Sequence, residues 1–194
     1  MPDTPDTPDT QDIPSRVERG ASVRTLVVHW EDPSLGPLIA AERGLNGIEY
    51  LRAIMRGEIP PPPITRLMGI ELVEVEDGRV VFAATPGEQH YNPIGVVHGG
   101  LAATLLDSAI GCAMQTKAPP GFFYTTIELK VNYVRPLLAG MGRVFGEATV
   151  LHAGRQTALA EARVVDAKGK LYAHATSSCM LIQPRRDTIN TIQE

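Results

Sequence analysis

The chain has 194 residues, a formal net charge of −4 and 43% apolar residues, enough for one ordinary domain with a real core. Its charges do not gather into the basic face that nucleic-acid binding needs, so no nucleic-acid partner is expected. Its two cysteines, Cys112 and Cys179, lie far apart without a CxxC partner, which argues against a disulfide framework or a zinc site.

Pro-Asp-Thr occurs three times in succession at the start, in an acidic stretch with no apolar run and no basic signal-peptide start. Residues 1–20 are expected to be a disordered tail. Thr25 to Trp30 reads as extended, and Glu31-Asp32-Pro33 turns it. A helix follows: Asn46 is a good N-cap, Glu49 completes a capping box, and Gly57 closes the helix. Ile48, Leu51 and Met55 fall on one face of it. Pro60 to Pro63 then force a short extended bridge. Residues 21–63 are thus an N-terminal extension that packs on the main domain, with no chemistry of its own in view.

The main domain is placed at residues 64–183, with a short C-terminal tail at 184–194. Ile70 to Glu76 alternates apolar and acidic residues, Asp77-Gly78 is a hairpin turn, and Arg79 to Thr85 returns as the second strand. A loop rich in turn residues carries His90, Tyr91 and Asn92. Next comes the long apolar segment from Val96 to Met114, in which Asp107 is the only acidic or basic residue after His98. It reads as a helix buried nearly all round. A carboxylate in its middle is expensive unless it is hydrogen-bonded or used. Asp107 and the glycines at 99, 100 and 111 argue for a core helix over a membrane span. Neither a membrane partner nor a metal site is expected, His29, His152 and His174 being scattered. The expected location is cytoplasmic.

Ala118-Pro119-Pro120-Gly121 breaks the helix. Four strands follow: Phe122 to Val134, Gly142 to Leu151, Gln156 to Asp166 and Lys170 to Ile182. Their turns are His152-Ala153-Gly154 and Lys168-Gly169, and such short turns make antiparallel neighbours. Two strands, one very apolar helix and four strands predict an α+β fold in which an antiparallel sheet curls around the helix.

That order, together with Asn92-Pro-x-Gly-x-x-His-Gly-Gly-x-x-x-x-Leu-x-Asp107, resembles the hotdog-fold thioesterases, and within them the PaaI-like acyl-CoA thioesterases. The segment from Thr126 to Pro136 resembles the family's strand after the helix. The resemblance covers roughly residues 64–183 and leaves the extension outside. It implies that Asp107 is the nucleophile or the general base on water. Gly99 then supplies a backbone N–H to the thioester carbonyl, Asn92 lies near the carbonyl and the attacking oxygen, and His98 shapes the site. Thr126 helps hold the water, although counting forward from Asp107 allows Thr125. Gly100 lets the substrate approach the backbone, and Arg135 is a candidate for a coenzyme A phosphate or simply the end of a strand. No cofactor beyond the coenzyme A of the substrate is implied.

The chemistry fits these residue types. A helix start has free N–H groups and the positive end of the dipole, and glycine admits a close ligand. One oxyanion donor supplies about 3–4 kcal/mol. Asp107 stands 107 − 99 = 8 residues beyond Gly99. At the helical rise that is roughly 12 Å, too far for one Asp side chain to serve both ends. If both serve one carbonyl, they come from two chains, and the site spans a homodimer; two such dimers often pair in the resembled family. The expected activity is hydrolysis of an acyl- or aryl-CoA thioester. The rivals are an enoyl-CoA hydratase of the same fold and a non-catalytic acyl-CoA binder or sensor.

Overall fold

A computed structural model describes residues 23–183. The expected tails at 1–20 and 184–194 lie outside the described residues. The elements in chain order are α1 (Leu35–Glu42), α2 (Gly47–Met55), α3 (Pro63–Met68), β1 (Ile70–Glu76) and β2 (Arg79–Ala84), followed by α4 (Gly99–Gln115), β3 (Phe123–Tyr133), β4 (Val144–Ala153), β5 (Thr157–Asp166) and β6 (Leu171–Ile182). The strands form one antiparallel sheet in the order β1-β2-β4-β5-β6-β3. This is the hotdog arrangement, with the sheet wrapped on α4. No helix among the described residues is long and apolar enough to cross a membrane.

Small side chains let α4 lie against the sheet. Ala158, Ala160, Ala162 and Val164 alternate inward along β5, and Ala173, Ala175, Ser177 and Cys179 do so along β6. Leu101, Leu105, Leu106, Ile110 and Met114 of α4 fill the space above them. The helix is not buried all round, however. Ala103, Thr104, Asp107, Ser108, Gly111 and Cys112 are only partly covered and form an open stripe at helical spacing. Small residues at these positions mimic core composition, which is why the segment reads as fully buried.

Three local findings differ from the sequence reading. Thr25 to Trp30 belongs to no strand. Helix α1 is an addition to the elements read from the sequence, and so is α3, which opens at Pro63, at its first turn where the missing N–H costs nothing. Strand β4 continues through His152 and Ala153, so the turn falls two residues later, at Gly154 to Gln156. The remaining strands agree with their expected spans to within a residue or two.

The extension is fastened to the core. Asn46 and Glu49 form the expected capping box at 3.0 Å in each direction. Gly47 N–H donates to the Ala118 carbonyl at 3.0 Å. A Cβ on Gly47 would lie 1.6 Å from the Gln115 carbonyl oxygen, so only glycine fits there. Buried Gln115 in turn accepts from Tyr124 N–H at 3.0 Å and donates to the Phe122 carbonyl at 3.1 Å, tying the end of α4 to the start of β3.

Candidate active site

The loop before α4 is built by Asn92. Its Oδ1 accepts from Ile94 N–H at 3.1 Å and Val96 N–H at 3.2 Å, while Asn92 N–H donates to the Val96 carbonyl at 2.8 Å. Gly95 completes the turn with φ near +79°. The Asn92 side-chain oxygen is therefore spent on its own loop, and its amide N–H groups are the part that can face a ligand.

His98 is the N-cap of α4, and its Nδ1 accepts the Gly100 N–H at 2.8 Å. The His-Gly-Gly triplet follows from this packing. A Cβ on Gly100 would stand 2.8 Å from His98 Nδ1, and one on Gly99 would stand 3.0 Å from the Tyr133 ring. Because Gly100 N–H is committed to the cap, Gly99 is left as the donor at the helix start. Its N–H has no partner among the described residues. Gly99 and His98 line a cavity of about 420 Å³ with Tyr133 and Arg135. The Arg135 guanidinium donates to the Leu171 carbonyl at 2.7 Å, which ties it to β6. The neighbouring His90 is held in the loop by accepting Gly87 N–H at 3.1 Å, and burial lowers its pKa.

Asp107 sits half-buried on the open stripe of α4. Thr126 Oγ1 donates to its Oδ1 at 2.9 Å. Thr126, not Thr125, makes this bond because it pairs with buried Cys179 of β6 and so faces α4, whereas Thr125 pairs with exposed Met180. Ser177 donates to the Glu128 carbonyl and steadies the strand past the bulge at Ile127. Asp107, Thr125 and Thr126 line a second cavity, of about 860 Å³. Cys112 also lines it, and its thiol is held protonated. Burial, then the Asp107 charge, push it up to about 12.

Within one chain, then, Asp107 and Gly99 line different cavities. Of the residues expected at the site, Asp107 and Thr126 lie together, and Gly99, His98 and Arg135 line the other cavity. The sequence reading missed Gln115 and the walls that α2 contributes to the larger cavity. Buried polar Gln115 after an apolar run was the one available signal.

Residues 94–173 match the thioesterase superfamily. Human acyl-coenzyme A thioesterase 13 is 31% identical over 129 residues, covering 64% of this chain and 89% of that protein. The chain belongs to the thioesterase superfamily. This thioesterase is also 29% identical over 104 residues to the 1,4-dihydroxy-2-naphthoyl-CoA hydrolase of Listeria monocytogenes, covering 54% of this chain and 83% of the relative. Among solved structures it is similar to a phenylacetic acid degradation-related protein of Ralstonia eutropha, with 27% identity and a TM-score of 0.62 over 68% of this chain and 98% of the other. A variant of the phenylacetic acid degradation protein PaaI of Thermus thermophilus is 30% identical, with a TM-score of 0.55 over 61% of this thioesterase and 97% of that chain. The matched family segment starts at Ile94, so α1 to α3 of this thioesterase lie outside it.

Proposed function

We propose that this thioesterase hydrolyses an acyl- or aryl-CoA thioester at a site shared by two chains. One chain contributes Asn92, His98 and Gly99, and its partner contributes Asp107 and Thr126. The observation that carries the reading is the Asp107 carboxylate, held by Thr126 on the uncovered stripe of α4, in a cavity that Gly99 of its own chain does not line. The Gly99 N–H polarises the thioester carbonyl and stabilises the oxyanion. Asp107 then either attacks the carbonyl carbon, expelling the thiolate before water cleaves the anhydride, or takes a proton from the water that attacks. Both routes convert thioester and water into carboxylic acid and thiol.

Two unpartnered surfaces support the homodimer. Among the described residues, strand β3 is an eleven-residue sheet edge that pairs on one side only, with β6, and Ile127 and Tyr133 are exposed on it. A long edge strand of this kind is a template for another strand. Beside it runs the open stripe of α4, whose start at Ala103 and Thr104 lies clear of the Asp107 cavity and admits a second helix closely. Pairing two β3 edges sets two α4 helices side by side and brings the Asp107 of one towards the Gly99 of the other. A dimer of dimers and a cytoplasmic location go with this reading.

The test is thiol release from a panel of short, long and aromatic acyl-CoAs, with light scattering for the assembly. Wild type is expected to turn over at least one class as a dimer or tetramer, and folded Asp107→Asn none. Tight acyl-CoA binding with no thiol released would replace hydrolysis with a binding or sensing role.

A further inference from the structure

The larger cavity is walled by the N-terminal extension. Beyond Asp107 its lining follows the open stripe of α4 through Ser108, Gly111 and Cys112 to Gln115. That span is 115 − 107 = 8 residues, roughly 12 Å along the helix. Nothing fills the space beside Gly111, where a Cβ would meet no atom within 4 Å. Across from this stripe stand Ile54 and Met55 of α2, with Pro61 and Pro62 after it. The wall is fixed, because α2 is bolted to the end of α4 through Gly47 and buries Leu51 in the core at 2% exposure. Apart from Asp107, the charged lining residues are Arg66 and Glu71, and these pair with Glu31 and Arg143. The channel thus favours an uncharged, elongated group.

We propose that α2, through Ile54 and Met55, walls the acyl channel and sets the length of the apolar acyl chain that the enzyme accepts. The proposal rests on the acyl-CoA reading given above and adds a specificity role for a segment outside the matched family region. Each methylene reaching the wall is worth about fourfold in binding. Met55 is 42% exposed, so replacing it disturbs little packing, and it serves as the main probe.

The experiment compares wild type with Met55→Trp, Met55→Ala and Ile54→Ala on straight-chain acyl-CoAs of increasing length. Two readouts are taken: thiol release, and binding of non-hydrolysable thioether analogues of the same lengths. Met55→Trp is expected to lower the long-to-short ratio of kcat/KM about tenfold, and the two alanine variants to raise it. Analogue affinities are expected to move in parallel, with the shortest substrate changed by less than about twofold. Length profiles that stay at wild type in the folded Met55 variants would overturn the proposal. Length-dependent analogue binding that Met55→Trp shortens, without any thiol release, would instead overturn hydrolysis and leave the channel standing.

Discussion

Thr126 Oγ1 donates to Asp107 Oδ1 at 2.9 Å, joining the sheet-edge strand β3 to the middle of α4. On the proposed reading this bond fixes the carboxylate for attack or for holding water. Thr126→Val keeps the shape and removes the donor. A hydrogen bond to a charged group is worth about 1.5–3 kcal/mol, so kcat should fall about ten- to a hundredfold. Thr126→Ser should retain most activity. Steady-state thiol release checks both, and wild-type turnover by the valine variant would remove Thr126 from the mechanism.

The helix start offers a clean way to delete one backbone donor. Proline is tolerated at the first helical position, and the preceding residue must be extended. Gly99 holds that position, and His98 has φ −61° and ψ 137°. Gly99→Pro therefore removes the N–H while keeping the local backbone. Gly99→Ala is the control, since it adds the same Cβ contact with Tyr133 but keeps the donor. The proline variant is expected to lose about 100- to 1,000-fold in kcat, and the alanine variant much less. Equal losses would assign the effect to the Tyr133 contact instead.

If Gly99 and Asp107 meet only across two chains, two inactive variants complement each other. A mixed dimer of Gly99→Pro and Asp107→Ala has one site with both defects and one with neither. The purified mixed dimer should therefore show about one half of wild-type activity per dimer. Differently tagged chains, coexpressed and assayed as the purified mixed dimer, provide the measurement. No recovery in a verified mixed dimer would place each site within one chain.

The sequence was most informative where local chemistry decides structure. Asn46 and Glu49 cap α2, Asp77-Gly78 turns the β1–β2 hairpin, and the His98-Gly99-Gly100 triplet folds as tightly as its composition demands. It was silent where packing decides. Helix α1 holds Gly36 and Pro37 and has no side-chain cap, so burial of Gly36 and Ala40 sustains it rather than propensity. The stripe of α4 at Ala103, Asp107 and Gly111 reads as core because small residues suit a core and an open face equally. The choice between Thr125 and Thr126 depended on the register of β3 against β6 beyond the Pro119-Pro120 loop, which composition does not report. That α2 walls the Asp107 cavity follows from the Gly47–Gln115 contact between distant segments, which no periodicity reports.

That contact makes its own prediction. Gly47→Ala puts a methyl group where the Gln115 carbonyl already lies, so α2 or the end of α4 must shift. Overpacking of this kind costs about 1–3 kcal/mol and sometimes more. For a chain of this size the melting temperature should fall by roughly 2–12 °C. Differential scanning calorimetry reads it. An unchanged melting temperature would show that α2 is not held at Gly47.

Tyr50 and Cys112, partly covered residues whose acidic groups are desolvated, predict loss of stability in alkali. Burial, and then the Cys112 charge, raise Tyr50 from 10.0 to about 12. Burial, and then the Asp107 charge, raise Cys112 from 9.0 to about 12. Below pH 9 both groups are neutral in the folded and the unfolded chain, and their contribution is fully present. As pH rises from 9 towards 12, the unfolded chain ionises first and gains, so stability falls across that window. Urea unfolding at stepped pH should show a midpoint that declines from pH 9 upward. Tyr50→Phe should flatten the part above pH 10, and Cys112→Ala the part that begins at pH 9. If both variants decline as steeply as wild type, other groups govern the alkaline limit.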